Sequence, residues 1–257
     1  MADLSIRTWN PLERERKKPL LILVDGNASH LYYTGILLQR LDYTIYTTRN
    51  AEEALEIINI TIPAIVVAET SLPGMSGLEL LKQIKRNPAT SSVPVLILTS
   101  TGNPLITEQC HREGCAGVLT KPIDPEALFA AIQKVTEATP RTYVRLKIFF
   151  DVVVKDDALK ESTSTNDCVT ALSENGMYVS TQYPRKKGAL LYFTISLGKA
   201  KIDVQGTVLY SFDRGKGPLG TSGMGIKFTS IKPEDRNLIR AIIKKTLTED
   251  IAEKKQG

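Results

Sequence analysis

Short apolar runs alternate with amphipathic segments along the first half of this 257-residue chain. The runs are rich in aliphatic residues and have the length of buried strands. There are five of them: LLILV (20–24), TIYTT (44–48), AIVVA (64–68), PVLIL (94–98) and GVLT (117–120). Between them, apolar residues recur at three- and four-residue spacing in segments that begin at Leu31, Ala51, Leu78 and Leu128. The alternation predicts five βα units and therefore an α/β fold, a doubly wound parallel five-stranded sheet.

The pattern changes at TEATP (Thr136 to Pro140), because proline disfavours helix in the residue before it. Beyond this point the apolar runs are rich in β-branched and aromatic residues, and turn sequences such as PRKKG separate them. Predicted strands cover residues 144–154, 176–181, 189–197, 201–212 and 223–231. Such short strands predict an antiparallel β-barrel. Residues 232–247 then predict a C-terminal helix, with proline at its start and lysines near its end.

The composition agrees with a globular protein of two domains, since 42% of the residues are hydrophobic and 24% are charged. No apolar run reaches the ~18 residues of a membrane-spanning helix. The first residues show no apolar signal core after a basic start. We therefore expect a cytoplasmic protein without membrane insertion. Three cysteines and two histidines lack the spacing of a disulfide framework or zinc site, so no metal is expected.

The net charge of +5 raises the question of a nucleic-acid partner. The basic residues, however, are spread over LERERKK, KQIKR, PRKKG and IRAIIKK. They form no helix-turn-helix or zinc-finger spacing and no basic stripe interleaved with aromatic residues. We expect no nucleic-acid partner. A basic surface also suits a small ligand that carries phosphate.

Polar residues stand at the carboxyl ends of the predicted parallel strands, where such sheets place their active centres. They are Asp25 in VDGN, Glu69 in ETSLPGMSGLELL, Thr99, and Lys121 in the stretch TKP. In this order they resemble the CheY-like receiver domain of two-component systems, over nearly the whole first half. The resemblance implies an acidic strand end, a phosphoacceptor loop, a switch hydroxyl and the family's lysine at these four positions.

Three departures from the receiver pattern indicate a degenerate receiver, or pseudo-receiver. The acceptor is Glu69 rather than an aspartate, which moves the carboxylate one methylene farther out. The second acidic position is Gly26, which weakens the magnesium site of that family, and Val118 replaces an aromatic switch residue. Glu69 is open to three interpretations: a built-in mimic of the phosphorylated acid near Thr99 and Lys121, a relic in a domain kept for protein contacts, or a residue that still accepts phosphate. We expect Lys121 to pair with one of the two carboxylates.

Two further stretches, RTYVR (Arg141 to Arg145) and LSENG (Leu172 to Gly176), carry ligand chemistry. Arginines four positions apart lie on one side of an extended strand and can bind a compact dianion or a guanine edge. Ser173 adds a hydroxyl, and Gly176 lets the backbone turn without a clashing Cβ.

The two stretches resemble the PilZ family of cyclic di-GMP receptors, whose motif is an RxxxR arm followed by (D/N)xSxxG. The Asp or Asn position is Ala171 here, and losing one hydrogen bond costs about 1–2 kcal/mol, or roughly tenfold in affinity. Asn175 can partly replace the missing group if the strand is regular. The resemblance implies cyclic di-GMP binding by Arg141, Arg145, Ser173 and Gly176.

The resemblances together predict a signalling effector rather than an enzyme. Its parts are an N-terminal basic tail (1–18), a receiver-like domain (19–138), a PilZ-like domain (139–250) and a C-terminal tail (251–257). We expect an unidentified protein partner at the receiver-like domain and regulation of motility, pili or surface polysaccharide. Receiver folds pair through their fourth and fifth helical segments, so a homodimer is a further expectation. The alternative is a nucleotide-independent interaction scaffold in which both domains are degenerate.

Overall fold

The structure is a computed structural model that describes residues 18–138, 140, 143–156, 167–213, 216 and 222–249. It divides into two compact units, one with the described residues up to 140 and residues 247–249, and one with those from 143 to 246. No helix in the described ranges is long and apolar enough to cross a membrane.

The first unit contains a parallel sheet with the strand order β2-β1-β3-β4-β5. Every neighbouring pair of strands is parallel. The strands are β1 (Leu20–Val24), β2 (Thr44–Thr48), β3 (Ile65–Glu69), β4 (Val95–Thr99) and β5 (Gly117–Thr120). The predicted α/β doubly wound parallel five-stranded sheet is therefore confirmed.

Five helices connect these strands: α1 (Ala28–Arg40), α2 (Ala51–Thr61), α3 (Gly77–Arg86), α4 (Pro104–Arg112) and α5 (Pro125–Thr136). Four of them begin after a residue whose side chain accepts backbone N–H bonds that the helix itself leaves unpaired, which fixes their starts. These capping residues are Asn27, Ser76, Asn103 and Asp124. Helix α4 was absent from the segments that the sequence predicted, because Cys110 alone is buried among its nine residues.

Helices α2, α3 and α4 share one hydrophobic cluster with the sheet. Side chains alternate between the two faces of each strand, so one set of strand residues supports this cluster. Its strand members are fully buried: Ile22, Val24, Val66, Ala68, Val95 and Ile97. The intervening residues of β1, β3 and β4 are buried too, which explains their continuous apolar runs.

The second unit is a closed antiparallel barrel with the strand order β10-β11-β8-β7-β6-β9. Its elements are β6 (Leu146–Lys155), β7 (Cys168–Ser173), β8 (Gly176–Ser180), β9 (Leu190–Leu197), β10 (Ala200–Phe212), β11 (Gly223–Ile231) and the helix α6 (Pro233–Thr248). The predicted barrel and C-terminal helix are confirmed. The sequence had predicted no strand at β7, because Val169 and Leu172 are its only large apolar residues.

One row of paired residues crosses five barrel strands and shows which side faces the core. Each member pairs with the next across a strand boundary, and all of them are buried. In order they are Leu146, Leu172, Met177, Ile226 and Val208. Since successive residues of a strand point to opposite faces, the rows on either side of this one lie on the outer face of the barrel.

Gly77 is a position where the first unit has no room for a side chain. A Cβ there would overlap the carbonyl oxygen of Glu69, whereas a Cβ at Gly102 would meet nothing within 4 Å. We expect Gly77→Ala to lower the free energy of unfolding by about 1–3 kcal/mol, the usual cost of overpacking. Urea unfolding of the full chain, followed by circular dichroism, measures this. Gly102→Ala is the matched control, and equal midpoints for both variants would contradict the prediction.

Candidate functional site

The four receiver-type residues meet at the carboxyl edge of the parallel sheet. Asp25 directly follows β1, Glu69 ends β3, Thr99 ends β4 and Lys121 directly follows β5. The first three are buried, and the Lys121 side chain is 10% exposed. The βα topology therefore brings together residues that are far apart in the chain, as the sequence predicted.

The sequence predicted that Lys121 pairs with one of the two carboxylates. In the structure it pairs with both. Its Nζ donates to Asp25 Oδ2 at 2.6 Å and forms an ion pair with Glu69 Oε2. His30 Nδ1 lies 3.3 Å from the same nitrogen. Asp25 also accepts a 2.9 Å bond from the backbone N–H of Asn27. A single ammonium thus lies between two buried acids and offsets their mutual repulsion.

Glu69 and Thr99 have separate partners. Glu69 Oε1 accepts bonds from the Thr70 backbone N–H at 3.1 Å and from the Thr70 hydroxyl at 2.9 Å. The Thr99 hydroxyl donates to the Thr101 carbonyl oxygen at 2.9 Å. A mimic of the phosphorylated acid would contact both Lys121 and the Thr99 hydroxyl. Glu69 contacts Lys121, whereas the Thr99 hydroxyl is bound to Thr101.

The space that a side chain would need at Gly26, the position of the second receiver acid, is bordered by a neighbouring loop. A Cβ at Gly26 would lie 3.1 Å from Pro73 Cδ and 3.8 Å from the Ser71 carbonyl oxygen. A longer acidic side chain would need Pro73 to move. Across the residues that the structure describes, no group of three or more His, Cys, Asp or Glu side chains could hold a metal ion.

On the barrel, the predicted ligand residues lie in one outer row. Ser173 pairs with Gly176 across β7 and β8, and Gly176 pairs with Lys227 of β11. Arg145 directly precedes β6, and extending the β6–β7 register by one residue places it beside Ser173. The structure thus pairs Ser173 with Gly176, and the position of Arg145 beside them is inferred from the register. Arg141 lies outside the described residues.

A second outer row runs parallel to the first, two residues farther along each strand. Lys147 pairs with Ala171, Ala171 with Tyr178, and Tyr178 with Gly225. The rings of Tyr178 and Tyr210 stack with their centroids 6.4 Å apart. Ala171, where the family has Asp or Asn, therefore lies between an exposed lysine and an aromatic ring.

Ser173 and Gly176 also shape the hairpin between β7 and β8. The Ser173 hydroxyl donates to the Gly176 carbonyl oxygen at 3.0 Å across the turn. A Cβ at Gly176 would overlap the carbonyl oxygen of Ile226, so only glycine permits this approach of β8 to β11. Both residues therefore have a structural role, whether or not a ligand is bound.

The hairpin turn holds helix α6 through interactions that the sequence did not reveal. The buried Glu174 carboxylate accepts bonds from Arg240 Nε at 2.9 Å and Arg240 Nη2 at 2.7 Å. Arg236 donates to the Glu174 carbonyl oxygen at 3.0 Å and to Asn175 Oδ1. Asn175 is thus a turn residue bound to the helix, and not the strand residue that could have replaced the polar group missing at Ala171. The i, i+4 spacing of the two arginines is the one signal in the sequence.

The edge of the parallel sheet and the outer face of the barrel belong to two domains that comparison with known families identifies. Residues 21–133 match the response regulator receiver domain, and residues 139–245 match the PilZ domain. The chain is therefore a receiver domain followed by a PilZ domain. Both are regulatory domains, and together they support a cyclic di-GMP-binding signalling protein.

Three similar proteins each match less than half of the chain. Protein PilH of Pseudomonas aeruginosa is 24% identical over 115 residues, 45% of this chain and 95% of that protein. The phosphate regulon regulator PhoB of the same organism is 28% identical over 119 residues, 46% of this chain and 52% of that protein. The chain thus spans about half the length of PhoB. The chemotaxis response regulator CheY4 of Vibrio cholerae has 25% identity and a TM-score of 0.44, covering 46% of this chain and 99% of that one.

The two-carboxylate ion pair gives a stability prediction. We expect Lys121→Met to lower the free energy of unfolding by about 3–5 kcal/mol, because two buried carboxylates lose their counter-charge. Adding Glu69→Gln to that variant should restore part of the loss. Lys82→Met is the matched control, since its 3.5 Å pair with Glu113 is partly exposed and is worth about 1 kcal/mol or less. Urea unfolding measures all four proteins, and an unfolding midpoint for Lys121→Met equal to that of the control would contradict the assignment.

Proposed function

We propose that this protein is a cyclic di-GMP effector whose PilZ domain, residues 139–250, binds the dinucleotide on the outer face of the barrel. The binding residues are Arg141, Arg145, Ser173 and Gly176. The observation that carries the proposal is the pairing of Ser173 with Gly176 next to the pair Leu146–Leu172, because the register continued by one residue puts Arg145 beside Ser173. Arg141 is included in this set on the basis of the RxxxR motif alone.

The chemistry of these residues fits the ligand. Cyclic di-GMP presents two phosphates and two guanines, and an arginine fork matches both a phosphate and the O6 and N7 acceptors of guanine. Charge-assisted bonds of this kind are about twice as strong as neutral ones. Ala171 offers no polar group to a base, so we expect the affinity to be lower than that of a complete motif by roughly tenfold.

We propose further that the receiver domain, residues 19–138, is a protein-binding module that does not accept phosphate. Support comes from Glu69, whose longer side chain is already held by Lys121 and Thr70, and from Gly26, which supplies no acid to a metal. The engagement of Thr99 by Thr101 favours a relic over a phosphoacid mimic. In this proposal the protein acts in the cytoplasm on motility, pili or surface polysaccharide, and its receiver domain binds a partner protein or a second copy.

A second candidate function is a scaffold that binds no nucleotide. Three observations favour it: Ala171 has no polar group to bind a base, Gly26 has no acid to bind a metal, and Glu69 is already paired with Lys121. In that case both domains act through protein contacts alone, and the outer barrel face contacts a partner rather than a nucleotide.

Titration calorimetry with cyclic di-GMP separates the two functions. We expect the wild type to bind, and Arg141→Ala and Arg145→Ala each to weaken binding by about tenfold or more, since each removes a charge-assisted contact. Arg112→Ala, which removes an exposed arginine of α4 paired with Glu108, is the control and should bind normally. Absence of both heat and a thermal shift at high micromolar ligand would establish the scaffold instead.

Labelling with a small phosphodonor and magnesium tests the receiver domain. We expect no stable incorporation in the wild type, because the Glu69 carboxylate is displaced by one methylene and is paired with Lys121. Glu69→Asp alone should also remain unlabelled, since position 26 still lacks an acid for the metal. Mass spectrometry of the intact protein gives the readout. Stable phosphate that disappears in Glu69→Ala would overturn this assignment.

A further inference from the structure

Two lysines, which belong to neither the RxxxR arm nor the LSENG stretch, border the proposed ligand face. Lys147 pairs with Ala171 on one side, and Lys227 pairs with Gly176 on the other. Both are exposed. In the sequence they are far from each other and from the hairpin, and strand pairing alone makes them its neighbours.

The core row fixes the direction of these lysines. Leu146 and Ile226 are buried inside the barrel, and they directly precede Lys147 and Lys227 in the chain. Alternation along a strand therefore puts both lysines on the outer face, together with Arg145, which directly precedes Leu146. Three cations thus surround Ser173 on the same side of the sheet.

The acid of the hairpin is engaged elsewhere. Glu174, the one acid in the LSENG stretch, is buried and is bound through both carboxylate oxygens by Arg240 of helix α6. Cations on the outer face around Ser173 can therefore attract an anion without competition from this carboxylate.

We propose that Lys147 and Lys227 are additional ligand-binding residues that bind the phosphates of the dinucleotide from opposite sides of the hairpin. The inference rests on the proposed function and deepens it. Three strand spacings of about 4.8 Å and an offset of two residues along the strands separate the backbones of the two lysines by roughly 16 Å. Flexible four-carbon side chains can approach a ligand that lies between them over Ala171 and Ser173.

This arrangement changes what the site recognises. A carboxylate or amide at position 171 could accept hydrogen bonds from the donor groups of guanine, whereas Ala171 cannot. Lysine and arginine donate only, so these cations pair with phosphate oxygens and with the O6 and N7 acceptors. The cations therefore recognise charge and the acceptor edge, and they form no hydrogen bond with the 2-amino group of guanine.

The test is calorimetric titration of the full chain with cyclic di-GMP at two salt concentrations. We expect Lys147→Ala and Lys227→Ala each to weaken binding about three- to tenfold and to reduce its salt dependence, while Lys→Arg at either position retains binding. Lys201→Ala is the matched control, because Lys201 is exposed on β10 and pairs with Ser196, away from the hairpin. It should bind as the wild type does.

A second ligand tests the recognition. Cyclic di-IMP keeps O6 and N7 but lacks the 2-amino group, and we expect the wild type to bind it within about threefold of cyclic di-GMP. Ala171→Asp should tighten cyclic di-GMP binding in preference to cyclic di-IMP. If the wild type binds neither dinucleotide, the proposed function itself fails. If it binds cyclic di-GMP and both lysine variants match the Lys201→Ala control, this inference alone is overturned.

Discussion

The alternation of inward and outward side chains around the barrel is the constraint on which the ligand face depends. One buried row, from Leu146 through Met177 to Val208, fixes the register of five strands. A slip of one residue in any strand would bring its outward side chains into the core. Such a slip at β6 would bury Lys147. The packing energy of the core therefore also determines which cations surround Ser173.

The sequence predicted elements where the periodicity was strong and failed where it was weak. Strands β1, β3 and β4 were recognisable because their residues are buried on both faces, and α3 because its leucines recur at helical spacing. For helix α4 and strand β7 no segment was recognised from periodicity, although five βα units imply a helix between β4 and β5. Each buries few large apolar residues, and each is held by its neighbours in the fold rather than by its own pattern.

Parts of the sites could be predicted where they depend on the order of the elements, and could not be predicted where they depend on contacts made in the fold. Asp25, Glu69 and Lys121 could be grouped in advance, since βα topology alone brings strand ends together. The pairing of Lys121 with both carboxylates could not be predicted, because it depends on side-chain distances. The partnership of Glu174 with Arg240 and the approach of Lys227 to Gly176 depend on pairings between distant segments, which no local spacing encodes.

The contact between Gly26 and Pro73 has a consequence for substitution at this edge of the sheet. A Cβ at Gly26 would lie 3.1 Å from Pro73 Cδ, so any side chain at position 26 requires the proline to shift slightly. The two positions are therefore coupled, although they lie 47 positions apart in the sequence. A change at one of them alters which residues the other can tolerate, and a double-mutant cycle would show this as non-additive stability.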